Sequence, residues 1–222
     1  MTYQHQYSDG TPIDLPLGKV VCVGRNYAEH ARELNNPVPS EPLLFIKPAT
    51  SVVPLAEGFR LPTGRGAVHY ETEIALMIGA PLSGTVSPAD AAGAIAGIGL
   101  ALDLTLRELQ DQLKAKGHPW ERAKAFDAAC PLSHFVRLEQ APALNAMPLQ
   151  LTINGELRQQ GTSADMITPI IALLQHIAGV FTLLPGDVVI TGTPAGVGVL
   201  NPGDELELSI PGVLQQVTRV RD

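Results

Sequence analysis

The stretch Val68-His69-Tyr70-Glu71-Thr72-Glu73-Ile74-Ala75-Leu76-Met77 limits what this chain can become more than any other. Beyond Tyr70, polar or charged residues alternate with apolar ones, and β-branched Thr72 and Ile74 favour extended backbone, which predicts a half-buried strand. Residues two apart on a strand share a face. Glu71 and Glu73 therefore stand side by side, about 7 Å apart at Cα, with His69 a candidate for the same row. Adjacent carboxylates repel, and neither is buried charged at tolerable cost without a compensating cation. A divalent metal satisfies both. Oxygen-only ligands suit a hard ion, Mg²⁺ or Mn²⁺, which keeps several waters beside a few carboxylates. The third ligand is expected at Asp103, the one acid in the apolar run Ile95 to Leu106, which reads as another core strand. A lone Glu-x-Glu more simply faces water on a surface strand; the company of Asp103 and of the polar group Arg107, Gln110 and Lys124 decides against that here.

The chain of 222 residues fits one domain, residues 18–222, preceded by a short extension over residues 1–17. A net charge of −7 disfavours nucleic acid as a partner, since no basic stripe offsets phosphate repulsion. No apolar run reaches membrane-spanning length and the first residues lack the order of a signal peptide, so the expected location is cytoplasmic with no membrane contact. Cys22 and Cys130 lie far apart in apolar surroundings without metal spacing, which predicts buried free thiols.

In chain order, Lys19 to Val23 reads as a strand and Asn26 to Leu34 as a helix. Helical spacing brings His30 and Glu33 together, and a carboxylate beside an imidazole orients it to accept a proton. Spacing alone fits an exposed helix with incidental charges more simply. Asn35 to Pro42 holds three prolines and is a loop, so helix and Pro-rich arm together have the makings of a lid. Leu43 to Pro48 is a strand. Ser87-Pro88 opens a short helix, and Thr105-Leu106-Arg107-Glu108 reads as a capping box for a helix reaching Gly117, on which Arg107 and Gln110 face the metal site. Leu149 to Ile153 enters a hairpin at Asn154-Gly155, and Ile167 to Ala178 is a packed helix. Pro-Gly turns launch strands Val188 to Ile190 and Leu206 to Leu208. The Gly-rich loop Thr191 to Gly198 lacks a P-loop ending and precedes a strand, which argues against a nucleotide; its small residues instead let the backbone approach a carboxylate-bearing ligand, with Thr193 the side chain singled out. Strands outnumber helices without regular alternation, so the fold class is α+β, built on a mixed curled β-sheet.

Six motifs in order resemble the fumarylacetoacetate hydrolase family over nearly the whole chain: Gly24-Arg25-Asn26-Tyr27-Ala28-Glu29-His30, Leu44-Phe45-Ile46-Lys47-Pro48, His69-Tyr70-Glu71-Thr72-Glu73, Leu102-Asp103-Leu104-Thr105, Pro119 to Phe126, and Thr191 to Gly198. The resemblance implies a β-roll with flanking helices, a homodimer, and one Mg²⁺ or Mn²⁺ held by Glu71, Glu73 and Asp103. It implies catalytic roles for His30, Glu33 and Lys124, the first two on a lid helix, and substrate contacts from Arg25, Asn26, Gln110 and Thr193. Fumarylacetoacetate hydrolase itself carries a fourth carboxylate ligand where this chain has Val23, which favours smaller 2-oxo acids here. The implied activity is hydrolysis of the C–C bond of 3-acylpyruvates, with oxaloacetate decarboxylation or keto–enol tautomerisation as the alternative. A small-acid-binding protein without catalysis is the third expectation.

Overall fold

The computed structural model describes residues 3–222. Its largest sheet has eight strands, β1 (Lys19–Gly24), β2 (Leu43–Pro48), β3 (Val52–Pro54), β6 (Thr72–Ile78), β7 (Ile95–Leu102), β9 (Cys130–Leu132), β10 (Val136–Arg137) and β13 (Val188–Ile190). The order is β2-β1-β13-β6-β7-β9-β3, with β10 also on β7. It is mixed: β1 runs parallel to β13 and β3 to β9, and the other pairs are antiparallel. A second sheet has β4 (Phe59–Arg60), β11 (Pro148–Ile153), β12 (Glu156–Thr162), β15 (Glu205–Ile210) and β16 (Leu214–Arg221), in the order β12-β11-β15-β16-β4. A small third sheet pairs β14 (Gly198–Val199) with β5 (Val68–Tyr70) and β5 with β8 (Thr105–Leu106). The helices are short: α1 (Ala28–Glu33), α2 (Pro88–Gly93), α3 (Arg107–Ala115), α4 (Glu121–Lys124) and α5 (Ile170–Val180). The architecture is the expected α+β one, on a mixed curled sheet. Among the described residues no helix is long and apolar enough to cross a membrane.

The large sheet is covered on both faces, which corrects the half-buried reading of the Glu-x-Glu strand. Every residue of β6 is buried. Ile74, Leu76 and Ile78 join the larger core with Leu151 and Leu206 of the second sheet and Leu173 of α5, while Ala75 and Met77 face a smaller core with Cys22, Cys130 and Phe135. A buried Leu or Ile contributes about 1.5–3 kcal/mol, so alternation here selects between two cores rather than between core and water. Residues of the N-terminal extension close the smaller core: Ile13 is buried, Tyr3 and Tyr7 pack against it, and buried His5 donates from Nε2 to the Gly186 carbonyl at 2.8 Å. Both cysteines are buried free thiols, and burial pushes the Cys130 thiol up to about 12. Neither is prepared to act as a nucleophile.

Local signals fared unevenly. Ser87 caps α2 by accepting the Asp90 N–H at 3.1 Å, and Asn154 and Gly155 both take positive φ (53° and 80°) in the hairpin turn. Thr105 makes no capping box; it lies on β8 and its hydroxyl donates to the Asp103 carbonyl at 3.1 Å, leaving Leu106 as an unassisted N-cap. α5 starts at Ile170, later than the apolar pattern suggests, because Pro169 sits at its N-cap and the Thr168 N–H is taken by the Asn26 side chain at 2.8 Å.

Candidate active site

Glu71 occupies a one-residue break between β5 and β6. Its carbonyl accepts the Asp103 N–H at 2.8 Å, just past the end of β7, so a backbone hydrogen bond fixes two acidic residues against each other. Glu73 lies on β6 opposite Ala101. One carboxylate oxygen from each of Glu71, Glu73 and Asp103 falls within 4.8 Å of the others, and all three side chains are buried. His69, on the far side of the break, stays outside this triad; burial, then the nearby Arg107 charge, lowers its pKa.

Three cations face the triad. Lys124 Nζ, on α4, is 2.7 Å from Glu71 Oε2 and 2.7 Å from Asp103 Oδ2. Lys47 Nζ, on β2, is 2.8 Å from Asp103 Oδ1. Arg107, at the start of α3, pairs with Glu71 Oε1 and donates to Gln110 Oε1 at 2.8 Å. Burial alone would raise the Glu71 carboxyl, but Lys124 and Arg107 hold it well below the usual range. Burial would likewise lower Lys124, and Asp103 and Glu71 instead raise it. Glu73 differs: Oε2 accepts the Gly192 N–H at 2.7 Å and none of these three cations pairs with it. Burial, then Asp103 and Glu71, push its carboxyl well above the ordinary value.

α1 lies over this cluster. His30 is buried, with Nδ1 3.2 Å from Glu33 Oε2, while Glu33 Oε1 accepts the Gly196 N–H at 3.0 Å. Glu33 thus orients the imidazole and ties the helix to the Gly-rich loop. Gly196 has φ +100°, and a Cβ there would lie 2.1 Å from the Arg158 carbonyl oxygen, so no other residue presents this N–H. A cavity of about 30 Å³ is lined by Arg25, His30, Glu71, Arg107, Gln110 and Lys124, among others. Arg25 has φ 59° and, among the described residues, its guanidinium has no hydrogen-bond or ion-pair partner, a strained backbone carrying a cation that lines the same cavity as His30.

Two expected substrate contacts are otherwise engaged. Asn26 is buried; its Nδ2 donates to Thr191 O (2.9 Å) and Thr168 O (3.1 Å), and its Oδ1 accepts from Thr168 N. It braces the Gly-rich loop, with both amide hydrogens and the carbonyl oxygen engaged within the protein. Thr193 donates to the Thr72 carbonyl and accepts from Gln159 Nε2, each at 2.8 Å. Its hydroxyl locks the loop onto β6.

Sequence reasoning missed Lys47 and Gln159. Lys47 is the lone charge of an apolar strand, the same signal that singled out Asp103, and the two are each other's partner. Gln159 is the one buried residue of β12; its amide reaches Thr72 N, Thr193 Oγ1 and the Pro194 carbonyl. It carried no sequence signal beyond an inward strand position.

Three buried carboxylates, one without a counter-charge, make a donor set that fits a hard divalent ion. The fumarylacetoacetate hydrolase C-terminal model matches residues 19–221. The chain belongs to that family. Within it, the chain is 49% identical over 211 residues to oxaloacetate tautomerase YcgM of Escherichia coli K12, covering 95% of this chain and 96% of that one. It is 41% identical to the human mitochondrial oxaloacetate tautomerase FAHD1, covering 90% of each. A solved fumarylpyruvate hydrolase of Pseudomonas aeruginosa, in complex with Mn²⁺ and pyruvate, superposes with a TM-score of 0.92 at 32% identity over 99% of this chain and 96% of that one. The family is one of enzymes, and the Mn²⁺ of that neighbour accords with the acidic triad.

Proposed function

We propose that this chain interconverts the keto and enol forms of oxaloacetate, with Mg²⁺ or Mn²⁺ at Glu71, Glu73 and Asp103. The observation that carries this is the meeting of His30 with Arg25, Lys124 and Glu71 around one cavity, Nδ1 of the imidazole being tied to Glu33. Relatives matched over nearly their full length bear the tautomerase name, which moves that reading ahead of acylpyruvate cleavage.

A divalent ion in the triad would polarise the 2-oxo group and fix the substrate's orientation. With Nδ1–H donating to Glu33, Nε2 of His30 is the unprotonated nitrogen, free to take up and return the substrate proton. Tautomerisation moves one proton between C3 and the C2 oxygen. His30 takes it from C3, leaving an enolate, and returns it to the oxygen as an enol; the reverse step regenerates the ketone, and no atom is gained or lost. Lys124 is a preorganised donor for the enolate oxygen, since its ammonium is held in the same cavity by fixed carboxylates. Arg25 is free to receive a carboxylate of the substrate.

Hydrolysis of acylpyruvates is the second reading, supported by the fumarylpyruvate hydrolase neighbour. It would use the His30–Glu33 pair to activate water. Ultraviolet measurement of oxaloacetate enol–keto exchange, beside pyruvate release from acetylpyruvate, separates the two. Metal-dependent exchange with inert acetylpyruvate is expected; rapid cleavage of acetylpyruvate without accelerated exchange would overturn the proposal.

A further inference from the structure

Lys47 is fully buried and is absent from the lining of the site cavity, so it touches no substrate there. Its ammonium donates to the Ala129 carbonyl at 3.1 Å and to the Lys124 carbonyl, and it stands 2.8 Å from Asp103 Oδ1 as an ion pair, the oxygen itself accepting no hydrogen bond among the described residues. It therefore grips a carboxylate of the triad and both ends of the segment that carries Lys124.

The charges around the triad give this lysine a second consequence. With Glu73 ionised, as a metal ligand must be, the three carboxylates offset Lys47, Lys124 and Arg107 and the ligand set is neutral, although Glu73 pairs with none of the three. A divalent ion adds two positive charges to a neutral site. A dianion cancels them, while a monoanion leaves one unbalanced in a poorly screened interior.

We propose that Lys47 is a fixed counter-charge, a positioning residue that weakens the metal on its own and biases the loaded site toward dianionic 2-oxo acids. The choice of substrate class rests on the tautomerase reading; the effect on metal alone does not. Lys47 acts with opposite sign on the two ligands, because one is a cation and the other an anion. A lysine that only braced Asp103 would weaken both when removed.

The test is calorimetric titration of Lys47→Met against wild type at one pH, first with Mn²⁺ alone, then with oxalate or pyruvate into the Mn²⁺-loaded proteins. The expected result is Mn²⁺ bound at least about tenfold more tightly by the variant, oxalate at least about tenfold more weakly, and singly charged pyruvate weakened less. Should Lys47→Met not fold, Lys47→Gln, which keeps hydrogen bonds without charge, is judged by the same signs. Weaker or unchanged Mn²⁺ binding by a folded variant overturns the proposal. Opposite shifts with no oxaloacetate exchange by the wild type would keep the counter-charge and discard the tautomerase reading; exchange without opposite shifts would do the reverse.

Discussion

Replacing Glu33 with Gln changes one atom and tests the proton path. Glu33 uses one oxygen for His30 Nδ1 at 3.2 Å and the other for the Gly196 N–H at 3.0 Å. A glutamine has one oxygen. If it stays on Gly196, the amide nitrogen faces Nδ1, which must then accept, and the ring proton moves to Nε2, the nitrogen that has to be empty. If the amide flips, its nitrogen confronts the Gly196 N–H and a hydrogen bond is lost, at about 1–3 kcal/mol. Since about 1.4 kcal/mol is tenfold in population, the productive tautomer falls roughly fivefold to 150-fold. Loss of the carboxylate beside the imidazolium adds to this, and kcat for exchange should fall about 10²–10³-fold overall. Glu33 is partly exposed, so the melting temperature should move little. Stopped-flow ultraviolet absorbance of enol–keto exchange reads the rate. A Glu33→Gln enzyme within twofold of wild type would refute the assignment of Nδ1 to Glu33 and Nε2 to the substrate.

Two further perturbations probe the metal site and the loop. Burial and the neighbouring acids raise the Glu73 carboxyl, so without metal the folded state binds more protons than the unfolded one above the ordinary value of 4.5, and stability falls as pH rises through that window. Glu73→Gln in chelator should therefore gain melting temperature over wild type progressively as pH rises above the ordinary value of 4.5, and should lose the stabilisation that Mn²⁺ gives the wild type; a pH-independent difference would contradict the raised carboxyl. Gly196→Ala forces a side chain into positive φ and against the Arg158 carbonyl, at a cost of about 1–3 kcal/mol or more, and undocks Glu33. Both melting temperature and exchange rate should drop; an unchanged rate would show that the loop does not hold the dyad.

Much of this molecule was legible because local and global signals agreed. The strand from Leu43 to Pro48 and that from Val188 to Ile190 begin and end where their apolar residues and prolines say. Glu71, Glu73 and Asp103 were legible as a buried acidic cluster because a lone acid among core residues demands a partner. Their actual arrangement was not, since it depends on the break at Glu71 and on a backbone bond to Asp103 that no periodicity encodes. The burial of His30 was also hidden: helical spacing pairs it with Glu33 but does not show that Glu33 reaches Gly196, a contact 163 residues away. Asn26 and Thr193 sit at positions that a motif marks as important, yet their hydrogen bonds go to the loop backbone, to Gln159 and to β6. Motif position alone does not distinguish holding a site from touching its ligand.

The most direct measurement is oxaloacetate enol–keto exchange by His30→Ala, with Mn²⁺ affinity of the same preparation determined alongside. The account predicts loss of exchange by about 10²–10⁴-fold, the usual share of general acid–base catalysis, with Mn²⁺ affinity unchanged, because His30 moves the proton and is no ligand. Exchange at the wild-type rate in a metal-loaded His30→Ala protein would contradict it.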